Sequence, residues 1–413
     1  MRPGDVVTAW SRAAVPPANP EPASGAVESP FDILEVEAEQ APRGAVILSG
    51  RRAGAEARWT LPSGSFGITL QWPDAEGGPL PAAWLRYQAA AANARERRWA
   101  DVDAAYAAAL QEVEREHPRV AAELLWQWGS SLLGRGEISE AEDRYRRSIA
   151  TNEALDPERL AVARGLNGLA IAARRRGDAA AAESYYSRAL SLRRQRAPRS
   201  IELAATLNGL GILASDRGDF ATSDDYYQRA LEIRQQLAPG GLSVAGSLNN
   251  LGLNAIGRGD LATGEGYLRR ALAIQEALAP ESLALSETLL NLGEIQRSRG
   301  DLDALEDYTR RALAIQEEVA PEAPVVATSL DYLGNAARER GRLAEAQEYL
   351  QRSLAHAEKY DPHSRETPGT VANLARIAWL RGDLEGAEAL YRRGLALAEQ
   401  RAPGTFPVAA ISG

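Results

Sequence analysis

From residue 81 onward, apolar side chains recur as paired helical faces separated by short polar breaks. In one stretch Leu207, Leu210, Gly211 and Ala214 share a face at helical spacing, and Tyr227, Ala230 and Leu231 share a second. The break between them is Gly218-Asp219. The glycine supplies a left-handed residue that ends the first helix, and the aspartate caps the next. Pro239 then stops the second helix, because it cannot continue the hydrogen-bond ladder. The unit is therefore helix, tight turn, helix and a proline-bearing connection.

This unit repeats every 41 residues. The glycine recurs at Gly136, Gly177, Gly218, Gly259, Gly300, Gly341 and Gly382, and the proline at Pro157, Pro198, Pro239, Pro280, Pro321, Pro362 and Pro403. A fixed period of this kind marks a solenoid, which exposes an elongated concave surface suited to gripping another chain. Two copies carry Glu137 and Arg342 at the cap position, so their second helices are expected to start less firmly. A divergent first copy precedes the seven, with Ala90, Tyr106, Ala109 and Leu110 in the packing positions, and Pro118 in place of the ladder proline.

The order L-x-x-L-G, then Gly-Asp, then A-x-x-x-Y-x-x-A-L resembles the tetratricopeptide repeat, whose basic unit is about 34 residues. The extra residues follow the A-L, in segments such as Glu232–Leu237, and are expected to lengthen the second helix. This is similar to the repeats of kinesin light chain, whose L-N-N-L-A/G segment resembles Leu248-Asn249-Asn250-Leu251-Gly252. The resemblance implies an all-α fold, a right-handed superhelix of about eight helical hairpins over residues 81–413. Residues 1–80 are expected to form a small β-containing segment, with strands near Ala45–Ser49 and Glu56–Leu61 joined at Ala53-Gly54. The opening Arg2-Pro3-Gly4-Asp5-Val6-Val7 resembles an element of bacterial PDZ domains, and a plain β-rich cap is the equal alternative. The whole resembles the amino-terminal arms of bacterial CHAT-domain proteins. That resemblance implies a second functional reading, the sensor arm of a caspase-like protease whose catalytic domain is not in this sequence. Thr405–Ala410 reads as the start of a further first helix, so both ends read as truncations, and the uncapped carboxy-terminal edge is a candidate for self-association.

Composition narrows function by exclusion. A net charge of −9 argues against a nucleic-acid partner. There is no cysteine for a disulfide, a thiolate metal site or a nucleophile. Lys359 is the single lysine and follows no glycine-rich loop. With no apolar leader and no run long enough to span a membrane, a cytoplasmic protein without membrane partners is expected. His356, Asp361 and His363 lack a fourth ligand and read as a solvated loop. Gly209, Gly211 and Ala214 spell G-x-G-x-x-A inside a repeat helix, where packing explains them. The carboxylate pairs Glu140/Glu142 and Asp224/Asp225 read as solvated faces. In the doublets Tyr185-Tyr186 and Tyr226-Tyr227, the second member reads as core. No catalytic residue, cofactor or metal is expected.

The resemblance places a peptide groove along the first helix of each hairpin. One position there reads Asn167, Asn208, Asn249, Leu290, Asp331, Ala372. Asparagine is costly within a helix, and its amide can both donate to and accept from a peptide backbone. Inheritance through repeat duplication is the equal alternative. A second position reads Arg174, Ser215, Ile256, Arg297, Arg338, Trp379, and Arg164 and Arg376 join the same face. Arginines on the inner wall of an acidic chain suggest a partner peptide that is acidic or ends in a free carboxylate. Solvated arginines beside Glu and Asp are the alternative.

Overall fold

The computed structural model describes residues 1, 5–15, 19, 21–43, 45–61, 79–362, 364 and 366–401. The chain divides into two compact units, Met1–Pro239 and Gly240–Gly413.

The first unit opens with four antiparallel strands, β1 Val6–Arg12, β2 Ala23–Ala26, β3 Val46–Arg52 and β4 Ala55–Leu61, in the order β2-β1-β3-β4. The foreseen hairpin is present: Ala53 and Gly54 both take left-handed backbone (φ 49° and 83°) between paired Arg52 and Ala55. Such a turn matches the twist of the strands that flank it. Arg2, Pro3 and Gly4 lie outside the described residues. Helix α1, Pro30–Glu39, crosses between β2 and β3. Asp32 Oδ2 accepts from the Ser29 amide at 2.7 Å and begins it. Ile33 and Val36 of α1 pack on Val46 and Leu48 of the sheet, while Phe31 turns to Trp84 of the first hairpin.

Eight helical hairpins follow. In the first unit these are α2 Pro79–Arg95 with α3 Trp99–Val113, α4 Pro118–Gly134 with α5 Ile138–Leu155, α6 Leu160–Arg176 with α7 Ala179–Arg196, and α8 Ile201–Asp216 with α9 Phe220–Leu237. The second unit holds α10 Leu242–Gly257 with α11 Leu261–Leu278, α12 Leu283–Arg299 with α13 Leu302–Val319, α14 Val325–Glu339 with α15 Leu343–Tyr360, and α16 Thr367–Leu380 with α17 Leu384–Arg401. Among the described residues there are 17 α-helices, and the fold is an α-solenoid with a small sheet at its start. From α5 onward every second helix has 18 residues, which is where the lengthened period goes.

Each ladder glycine is left-handed, with φ between 74° and 87°. The amide of the next residue reaches back five positions, as Asp219 N to the Ala214 carbonyl at 2.9 Å, and closes the helix end. The aspartates cap as expected: Asp178, Asp219, Asp260, Asp301 and Asp383 each accept from the backbone N–H three residues on. Where Glu137 and Arg342 replace them the side-chain cap is lost, yet α5 and α15 begin in register. The amides of Glu137 and Arg342 still reach back, to the Leu132 and Ala337 carbonyls, so the turn geometry alone sets the start.

The core repeats with the sequence. Ala189, Ala230, Ala271 and Ala312 are fully buried where paired helices approach, and Ser148 and Ser353 there donate to the Ala122 and Ala327 carbonyls. Tyr145, Tyr186 and Tyr227 are buried beneath first-helix glycines. A Cβ on Gly209 would lie 2.5 Å from the Tyr186 ring, and one on Gly211 2.5 Å from the Tyr227 ring. These two glycines are therefore packing positions. Tyr185 and Tyr226 are half-buried.

The first hairpin departs from the rest. No glycine stands at its turn, and Arg97 takes the left-handed conformation there (φ 57°). Pro118 is the first residue of α4, whereas each described ladder proline lies two residues beyond a second helix.

Candidate binding wall of the first helices

Within each unit, successive first helices touch one another: α4 with α6 and α6 with α8 in the first, α10 with α12 and α14 with α16 in the second. Successive second helices touch less, so the first helices form the inner wall of each unit.

The asparagine position lies on this wall, and part of its hydrogen-bonding capacity serves the solenoid. Asn167 Oδ1 accepts from Thr206 Oγ1 of the next first helix at 3.3 Å. Asn249 Oδ1 accepts from Thr288 Oγ1 and from Asn291 Nδ2, both at 3.2 Å. Asn208 is half-buried in the same register. Asp331 repeats the contact with Thr370 Oγ1 at 2.7 Å. A shared acceptor 39 residues before a hydroxyl is a tie between repeats, legible in sequence only when the two positions are read together.

The arginines differ in their partners. Arg174 meets Asp216 at 3.2 Å on the next first helix. Arg297 binds Glu294 on its own helix through two hydrogen bonds, which raise its pKa. Arg338 lies 3.5 Å from Glu339 and is mostly buried. Arg376 is exposed. Arg164 differs: it pairs with Glu123 and stacks over Trp126, 4.1 Å from the ring centre.

Arg164 also lines a cavity of about 390 Å³ whose other walls include Leu34 and Glu37 of α1, Trp126, Arg193 and Glu202. Helix α1 rests on α4 and α6, so the amino-terminal module is seated against the inner wall of the first unit. Its anchor is acidic. The Glu39 carboxylate accepts from the Leu160 and Ala161 amides at 3.0 and 2.7 Å, capping α6 from outside the repeat. Burial pushes the Glu39 carboxyl up, against the pull of Arg159. Glu35 pairs with Arg159, and Asn19 Nδ2 donates to the Arg196 carbonyl at 2.7 Å. Residue 159 is the cap position of α6, where the following hairpins carry Ser200, Gly241 and Ser282; Arg159 offers no side-chain cap, and Glu39 meets the first amides instead. Sequence reading missed this contact, whose only trace was arginine in a serine position.

His356 Nε2 lies 2.8 Å from the Pro321 carbonyl, and His363 lies outside the described residues. Among the described residues no group of three His, Cys, Asp or Glu could hold a metal ion. No described helix is long and apolar enough to cross a membrane.

Two repeat models match the chain: a tetratricopeptide repeat over residues 120–195 and 161–236, and a MalT-like TPR region over residues 243–411. No curated protein matches the sequence. Among solved structures, the apo quorum sensor NprR of B. thuringiensis aligns at 12% identity over 77% of this chain and 87% of its own, with TM-score 0.61. The apo form of RapI aligns at 15% identity over 68% and 98%, with TM-score 0.51. Kinesin light chain TPR-like repeats from Podosopora anserina align at 19% identity over 48% and 97%, with TM-score 0.42.

Proposed function

We propose that this chain, a tetratricopeptide-repeat protein, is a non-catalytic scaffold that holds an acidic segment of a partner protein on its first-helix wall. Residues 81–413 are the binding array, and residues 1–80 are a β-rich module seated at its start. The observation that carries the reading is the chain's own α1. An acidic helix already lies on the first-unit wall, with Glu35 on Arg159 and Glu39 on the amino terminus of α6. A partner segment of similar charge would meet the same chemistry further along, where Arg174, Arg297 and Arg338 are held by single acidic neighbours. Charge-assisted bonds to a carboxylate are the stronger kind, so exchange of one acid for another is feasible at small cost. The asparagines contribute the amide edge that their ties to the next helix leave over.

The test begins with partners captured on the full chain. Arg297→Ala with Arg338→Ala should weaken the captured partner and flatten the salt dependence of its affinity, because screened charge pairs are lost. Asn167→Ala with Asn249→Ala should weaken it with little change in salt dependence. Those alanines remove one acceptor each from Thr206 and Thr288, whose single hydroxyl protons then turn to the Glu202 and Ala284 carbonyls, so the solenoid survives. Affinity indifferent to all four substitutions would place the partner off this wall.

A further inference from the structure

A position near the end of each second helix, buried in all but the half-buried Arg234, reads Asn152, Arg193, Arg234, Gln275, Gln316 and Ala357 in successive hairpins. Its side chain serves the following first helix. Arg193 is 4% exposed, and its Nη1 donates to the Glu202 carbonyl at 2.9 Å and to Thr206 Oγ1. Gln275 Nε2 donates to the Ala284 carbonyl at 3.2 Å, and Gln316 Oε1 accepts from Ser329 Oγ of α14 at 2.7 Å. Ala357 breaks the series and carries no donor. A cavity of about 240 Å³ lies there, lined by residues of α14, α15 and α16.

The lining repeats the surroundings of Arg193 four periods later. Asp331 stands for Asn167, Glu366 for Glu202, Thr370 for Thr206 and Ala357 for Arg193 itself. One cation is gone and one carboxylate is new. Asp361 adds a third acid, and no basic side chain is among the described lining. Two buried polar atoms lack a hydrogen-bond partner among the described residues: Thr367 Oγ1, on a residue 3% exposed, and Asp331 Oδ1. Thr370 serves only Oδ2 of Asp331. The single proton of Ser353 Oγ goes to the Ala327 carbonyl at 3.0 Å, so it does not serve Oδ1. Unpaired buried acceptors beside carboxylates call for a donor of positive charge. The acids do not converge on a point that could hold a metal ion, whereas Pro324, Val325 and Ala357 offer an apolar wall for an alkyl stem.

We propose that this pocket is an arginine socket without its arginine, and that it binds the guanidinium group of a ligand, either an arginine side chain of a partner chain or a free alkylguanidine. The planar fork donates to Asp331 Oδ1 and Thr367 Oγ1, while Glu366 and Asp361 at the rim balance its charge. The site is independent of the acidic-segment wall, and its variants leave the wall arginines intact.

The full chain is titrated by calorimetry with agmatine and, separately, with Nα-acetyl-arginine amide. Saturable binding of at least one is expected: agmatine alone identifies a free guanidine, and the arginine amide alone or both a partner's arginine. Asp331→Asn should weaken binding about tenfold, by removal of the charged acceptor. Ala357→Arg, which restores the missing side chain, should abolish binding and raise the melting temperature. If Ala357→Arg fails to fold, Asp331→Asn and Thr367→Val decide. The proposal is overturned by no saturable binding of either probe, or by unchanged binding in Asp331→Asn. It is equally overturned if binding appears only in Arg365→Ala, which would make the chain's own Arg365 the occupant.

Discussion

At the residue scale, the turn between paired helices depends on one left-handed position. An added Cβ at Gly259 would meet open space, so only backbone conformation opposes substitution there. Gly259→Val should therefore cost about 1–2 kcal/mol in a denaturant melt. Arg97 is the converse case, a long side chain already held at φ 57°. Arg97→Gly should stabilise the chain by up to about 1 kcal/mol, relief of left-handed strain outweighing the added freedom of the unfolded glycine. An unchanged midpoint in either variant would mean that the turn tolerates both conformations. Asp331 carries a pH signature. Burial, with Glu366 adding to it, pushes its carboxyl up to about 6 from an ordinary 3.8, against the hydrogen bond from Thr370. The folded chain then binds that proton more tightly than the unfolded chain, so stability falls as pH rises from about 4 through 6. The loss should reach about 2 kcal/mol after allowance for solvent, and Asp331→Asn should remove that part of the slope in melts from pH 4 to 8.

At the scale of elements, most helix ends are capped locally, and the paired-helix turns were readable from the ladder glycine in every hairpin but the first. Helix α6 is the exception. Its first amides are met by Glu39, more than 120 residues earlier in the chain. Glu39→Ala should leave the Leu160 and Ala161 amides buried without an acceptor and cost about 1–3 kcal/mol. It should also loosen α1 from the wall, seen as faster amide exchange in both segments. If only α1 responds, the carboxylate anchors the module without supporting the repeat. The strands Val46–Arg52 and Ala55–Leu61 were legible from alternation and their turn. Strand β2 and helix α1 were not: Ala23–Ala26 is short and made of small residues, with no apolar alternation to mark a strand.

At the scale of the molecule, the array offers no assembled catalytic group among the described residues. Its described histidines, His117 and His356, belong to different hairpins, many of its described carboxylates pair with arginines, and its repeat tyrosines pack. The purified chain should turn over no peptide, ester or nucleotide substrate; activity that survives purification and disappears with one point substitution would refute the scaffold reading. The 41-residue step by itself determined the seven regular hairpins, their turns and their buried positions, because each of these depends on residues within one period. It could not reveal how one period meets another, or how the amino-terminal module meets α4 and α6. The asparagine register was visible, but its tie to Thr206 and Thr288 required the distance between helices. Arg164 was visible as a wall residue, but its partners Glu123 and Trp126 stand one hairpin away. The polar series ending at Ala357 was there to be read, but an alanine shows no void until the neighbouring helices are placed. Local periodicity dictates backbone form, since short-range sterics and hydrogen bonds act within a turn or two. Pockets, caps supplied from afar and unpaired buried atoms arise only from packing, where residues remote in sequence share one small volume.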